Sequence, residues 1–230
     1  MEAAVKNRSI RLPKGAGDVK VSRDGLYAAY RLYDDLYIVV SGSGKTIKVP
    51  DENGGELTFF RWLPDRDMLV YSKKEPGGKE GRVCICTYDI NSELLRSYPV
   101  IKGLPEGAEI TGIELSPLTN VVYVGIKVSD DRLNIYKFDI MDNLHFVMTT
   151  GTGTVYRTNM YSDYLVYQAD DGGIMLRNGN SGNIAGIPVE DANLLLAVDD
   201  KDYIYAAACE GGNITRIYRG KAGQEVEDWA

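Results

Sequence analysis

The stretch that decides the fold is Val21-Ser22-Arg23-Asp24-Gly25-Leu26-Tyr27-Ala28-Ala29-Tyr30, followed by Asp35-Leu36-Tyr37-Ile38-Val39-Val40 and the turn Ser43-Gly44-Lys45. Asp24-Gly25 and Ser43-Gly44 are turn formers, because these side chains tolerate or stabilise the backbone angles that reverse a chain. The runs between them are rich in Tyr, Val and Ile, which pack well on a pleated surface. With Thr46 to Val49 added, the stretch reads as one antiparallel unit of short strands.

The unit repeats. Two residues followed by Tyr recur as Ala28-Ala29-Tyr30, Leu69-Val70-Tyr71, Val121-Val122-Tyr123, Leu165-Val166-Tyr167 and Tyr203-Ile204-Tyr205, the tyrosines lying 41, 52, 44 and 38 residues apart. That spacing centres on the roughly 40 to 45 residues of a four-stranded propeller blade. A polar turn precedes each copy, as in Leu63-Pro64-Asp65 or Ser116-Pro117-Leu118-Thr119-Asn120, and a third and fourth strand follow it. The expectation is an all-β chain, a single β-propeller domain over residues 1–230, built of five four-stranded antiparallel blades. The blades are placed at 18–50, 57–99, 110–149, 155–188 and 194–229, with residues 9–12 (Ser9-Ile10-Arg11-Leu12) closing the ring by pairing with the last blade.

Residues 22–45 resemble the TolB-like propeller repeat, whose signature runs Ser-Pro-Asp-Gly, an apolar Ala-Tyr strand, an Asp-Leu-Tyr-Val strand and a Thr-Gly-Lys turn. Arg23 stands where Pro is usual; Pro64-Asp65 and Ser116-Pro117 keep fragments of the same turn. The resemblance implies an antiparallel β-propeller and leaves activity open, because one fold hosts unrelated functions.

Composition narrows the classes. A chain of 230 residues is long enough to bury its own core. Its formal charge of −7 argues against nucleic acid as a partner, since phosphate contacts require a Lys/Arg surplus. The longest apolar runs, such as Leu194 to Val198, fall far short of the roughly 20 residues of a membrane span. Met1 to Leu12 lacks the apolar core of a signal peptide. An extracytoplasmic protein whose leader or anchor was removed is favoured over a cytoplasmic one. Sixteen Tyr against four Phe point to many strand positions with a hydroxyl at a wet edge. Cys84 and Cys86 share one face of a strand, and Cys209 is remote. With no second cluster of Cys or His to complete four ligands, neither a metal site nor a cofactor is expected, and the thiols read as buried strand residues.

Two motifs are decoys. Gly42-Ser43-Gly44-Lys45-Thr46 imitates the end of a P-loop, but Val39 replaces the first Gly and Ile47-Lys48-Val49 continues as strand rather than helix. His145 is the only histidine, and no Gly-x-Ser-x-Gly elbow accompanies it, so a serine-hydrolase triad is not expected. Propellers accompany hydrolase domains in some peptidases, but these 230 residues leave no room for one.

Two constellations remain. The innermost strands offer Asp18, Lys20, Arg61, Glu114 and Arg157 to an axial pocket, where paired carboxylates would suit a glycan or another small molecule. The loops between second and third strands carry Asp34-Asp35, Asp130-Asp131 and Asp170-Asp171, joined by a long basic loop beginning at Lys73 and Lys74. Since strands alternate in direction, these loops fall on one face. The leading expectation is a non-catalytic scaffold that binds a protein or peptide through that acidic face.

Overall fold

The computed structural model describes residues 10–51, 54–75, 81–187 and 192–221, with the backbone of Glu227–Asp228. Every regular element among them is a β-strand, and none is a helix long and apolar enough to cross a membrane. The chain divides into two compact units, Met1–Glu106 and Gly107–Ala230.

The first unit holds two antiparallel sheets. One is β1 (Gly17–Val21), β2 (Tyr27–Leu32), β3 (Asp35–Val40) and β4 (Thr46–Lys48), paired in chain order. The other is β5 (Glu56–Trp62), β6 (Met68–Lys74), β7 (Gly81–Asp89) and β8 (Leu94–Ser97), again in order, with β9 (Ile101–Leu104) added against β7. Strand β9 was not anticipated. It exists because β8 covers only Cys86 to Asp89 of the nine-residue β7, and β9 pairs with the other end at Gly81 and Val83. Pro99, which has no N–H to donate, separates the two.

The second unit holds three sheets, each paired in chain order. They are β10 (Glu109–Ser116), β11 (Val121–Lys127), β12 (Leu133–Phe138) and β13 (Leu144–Thr150); β14 (Tyr156–Arg157), β15 (Tyr164–Gln168), β16 (Ile174–Asn178) and β17 (Ile184–Ile187); and β18 (Leu194–Val198), β19 (Ile204–Glu210), β20 (Asn213–Gly220) and β21 (Glu227–Asp228). The repeat of four strands joined by tight turns therefore appears as read from the Tyr spacing.

The closing strand is not found. Ser9 lies outside the described residues, and Ile10 to Leu12 form no strand. A turn in which the Ala16 amide donates to the Pro13 carbonyl follows at once, and Ile10 is held by its side chain, against Ala28, Tyr30 and Val39.

Packing between sheets explains the apolar pattern. In the first unit Ala29, Leu36 and Ile38 meet Leu57, Phe60, Leu69 and Tyr71 in one buried cluster. In the second, Val121, Tyr123, Leu133 and Ile135 of the first sheet meet Tyr156, Leu165 and Tyr167 of the next. Strands β6 and β11 are buried almost throughout, on both sets of their alternating side chains. The repeat tyrosines sit deeper than a wet edge. Tyr30, Tyr71 and Tyr123 are buried, and their surroundings use the hydroxyls: Tyr71 donates to the Pro50 carbonyl at 2.9 Å and Tyr123 to Asp163 at 2.9 Å.

One contact fixes the spacing of two sheets. Gly112 and Gly125 face each other across β10 and β11, and the Tyr156 ring of β14 enters the gap, its hydroxyl donating to the Gly112 carbonyl at 2.6 Å. A Cβ at Gly112 would stand 2.8 Å from that hydroxyl, and one at Gly125 would stand 2.9 Å from two ring carbons. Glycine is required here because the ring occupies the space of a side chain.

Candidate functional site

The acidic loops are best taken unit by unit. In the first, Asp34 is exposed in the β2–β3 turn beside Tyr33, a residue with φ 57 that is 87% exposed. Asp35 opens β3 and pairs with Lys48 at 2.7 Å. The expected basic loop needs correcting. Lys73 lies inside β6, buried, in an ion pair with Asp51, because it occupies the inward position after Leu69 and Tyr71. Lys74 ends the strand half-buried, and residues 76–80 of the loop lie outside the described residues.

In the second unit the carboxylates stay at the surface. Asp130 is fully exposed, with Lys127 3.1 Å away. Asp131 accepts from the Ser129 hydroxyl at 2.6 Å, and that bond, then a backbone amide, holds its carboxyl below the usual range. Asp170 accepts from the Gly151 amide at 3.0 Å and the Thr150 hydroxyl at 3.2 Å, which ties its loop to the end of β13. Asp171 accepts from the Gly173 amide at 3.0 Å. Thr152 donates to the Asp130 carbonyl at 3.0 Å, so the β11–β12 loop and the β13–β14 connection that Asp170 grips are fastened together. Asp130, Asp131, Asp170 and Asp171 are all exposed on this linked set of loops.

The two axial carboxylates, Asp18 and Glu114, each lie beside an arginine. Asp18, exposed with φ 48, lies 3.5 Å from Arg31. Lys20 is exposed, its carbonyl accepting from the Trp62 indole at 2.8 Å and its ammonium lying 6.0 Å from the Phe60 ring centre. Arg61 is half-buried on β5. Glu114 of β10 is buried and lies 3.7 Å from Arg157 of β14, which also donates to the Leu196 carbonyl at 3.3 Å.

One polar centre escaped the sequence reading. In the second unit Lys137 of β12 is buried, donating to Asp163 at 2.5 Å and to the Gly179 carbonyl at 2.9 Å. Asp163 also takes the Tyr123 hydroxyl, whose ionisation is pushed above its ordinary range by burial first and by Asp163 next. Gly179 leaves room for that carboxylate, which a Cβ there would strike. A cavity of about 450 Å³ opens over this network, walled by the β12–β13 hairpin and the β16–β17 turn. The signal in the sequence was a lysine in the alternating register of Leu133 and Ile135, where an apolar residue belongs. Lys73 gives the same signal in β6.

In the first unit the Cys84 and Cys86 sulfurs lie 3.5 Å apart, buried as expected. Hydrogen bonding from Cys84, then from Ser97 and Tyr71, outweighs burial and lowers the Cys86 thiol to about 7. A group whose folded pKa is depressed adds stability that is full above its unfolded value and fades as pH falls through the folded one. Between about pH 9 and pH 7 the wild type is therefore expected to lose more stability in denaturant than Cys86→Ser does. Equal losses in the two proteins would reject this assignment.

No protein-family model matches the chain, and no curated protein does. Solved structures do. The chain is similar to dipeptidyl peptidase 4 of Porphyromonas gingivalis, at TM-score 0.60 and 11% identity over 96% of this chain and 39% of that one. It is similar to a prolyl endopeptidase, at TM-score 0.60 and 16% identity over 90% and 33%. It is also similar to Hsv2 of Kluyveromyces lactis, at TM-score 0.54 and 13% identity over 90% and 60%. The chain thus spans about two fifths or less of the peptidases it matches. The matched peptidase regions are β-propeller domains, and at these identities the likeness establishes the β-propeller fold alone.

Proposed function

We propose that this chain is a five-bladed, non-catalytic propeller of the TolB-like kind, serving as a scaffold for a cationic protein or peptide. The carrying observation is the exposed set Asp130, Asp131, Asp170 and Asp171 on loops fastened by Thr152 and by the Asp170 bonds. Carboxylates held in place at the surface present a negative potential without reorganising, which favours association with a positive patch. Support at the level of fold comes from the propeller neighbours. Support against carboxylate-driven glycan cleavage comes from Glu114, whose charge is engaged by Arg157.

The test begins with affinity capture from native lysate at low and high salt, which identifies partners held by charge. The captured partner is then titrated against a variant with all four aspartates changed to Asn. Asn keeps the carbonyl that the Gly151 and Gly173 amides need, so the unfolding midpoint stays near wild type. Affinity is expected to fall about tenfold or more at low salt, at roughly 0.3–0.5 kcal/mol per exposed charge. Unchanged affinity would reject the acidic loops as the binding surface.

A further inference from the structure

We propose that the second unit carries a separate pocket for a carboxylate, between the β12–β13 hairpin and the β16–β17 turn. The cavity there, about 450 Å³, falls within the roughly 300–1,000 Å³ of small-ligand sites. Its charged walls differ in how far they are already engaged. Asp139 accepts from His145 at 2.9 Å, from the Met141 amide at 2.8 Å, and from the Asn143 amide and side chain at 3.0 Å each. Those bonds, the His145 one foremost, hold its carboxyl well below the usual range. Asp163 does not line the cavity and is engaged by two residues that do, Lys137 and Tyr123.

The donors are not fully engaged. Among the described residues the Arg177 side chain donates no hydrogen bond and forms no ion pair, although the residue is half-buried and lines the cavity. Buried Lys137 uses two of its three N–H groups, on Asp163 and Gly179, and lines the same space. An ammonium has three donors and a guanidinium five, so the unused capacity of the charged groups in this cavity is donor capacity. A group with paired acceptor oxygens is its complement, and the planar fork of arginine matches a carboxylate with two parallel bonds. Phe146 and Val147 supply an apolar wall for the body of such a ligand, Phe146 being 59% exposed.

This pocket does not depend on the acidic loops. The β12–β13 and β16–β17 turns lie at the opposite strand ends from the β11–β12 and β15–β16 loops, and the two surfaces share no residue.

The experiment is calorimetric titration of the full chain with alanyl-alanyl-phenylalanine bearing a free C-terminal carboxylate, with its C-terminal amide, and with benzoate. The free acid is expected to bind about tenfold tighter or more than the amide. Arg177→Gln is expected to erase that preference with its unfolding midpoint retained. Arg177→Lys, a point charge without the fork, is expected to keep part of it, and carries the test if the glutamine variant does not fold. Binding of benzoate as well as the peptide marks free organic acids as the source of the carboxylate, and binding of the peptide acid alone marks a chain terminus. The proposal is overturned if acid and amide bind alike, if no probe binds at about 10 mM, or if Arg177→Gln retains the preference.

Discussion

Asp163→Ala is expected to lower the stability of the second unit by about 3–5 kcal/mol, the usual cost of removing one partner from a buried ion pair. Lys137, 7% exposed, would keep its charge without a counter-charge, and the Tyr123 hydroxyl would lose its acceptor at the same time. In thermal unfolding this is a fall in Tm of roughly 10 °C or more for a chain of this size. The two-residue variant Asp163→Ala with Lys137→Met is expected to recover most of the loss, because no charge then remains without a partner. A single variant within about 1 kcal/mol of wild type would show that the lysine reaches water by another path.

The second large effect is expected from Gly125→Ala. The new methyl group would overlap the Tyr156 ring, which cannot retreat without giving up its hydrogen bond to the Gly112 carbonyl. Overpacking costs about 1–3 kcal/mol and the lost bond about 1 more, so a loss of roughly 2–4 kcal/mol is expected in denaturant unfolding. Tyr156→Phe alone should cost about 1 kcal/mol. Combined with Gly125→Ala it should cost less than the sum of the two, because removing the hydroxyl relieves part of the overlap. Strict additivity would place the strain somewhere other than this contact.

The strand pattern was legible because two local signals agree in every repeat: turn formers at the strand ends, and runs of β-branched and aromatic residues between them. Asp24-Gly25 shows this well, with Ser22 and Leu26 both bonded to the Asp24 carboxylate. Strand β9 was not legible, since Ile101 to Leu104 carries no turn signal and is specified by the part of β7 that β8 leaves uncovered. Lys73 was misread because Lys73-Lys74-Glu75 has loop composition, whereas its strand register points it inward to Asp51. The Asp residues of the acidic loops could be placed from sequence, but their exposure could not. Asp35 and Asp130 look alike as letters and each has a lysine beside it, yet the first is half-buried and the second stands fully in solvent. The Arg177 cavity was beyond sequence reasoning altogether, because its walls come from two sheets and the pairing of its donors depends on how those sheets pack.

The Tyr156 ring held between two glycines also bears on how such chains grow and shrink. Repeats that arise by copying are interchangeable only while each neighbour presents the same surface to the next. Gly112 and Gly125 on one sheet and Tyr156 on its successor have diverged together, like a socket and the plug cut for it. None of the other four copies of the tyrosine strand holds a glycine two residues after its Tyr. A whole repeat spliced in at the connection between residues 150 and 156 would therefore meet an empty socket on one side and a homeless ring on the other. Duplication, deletion or transplantation of blades should be tolerated less at that joint than at one whose contacts are generic.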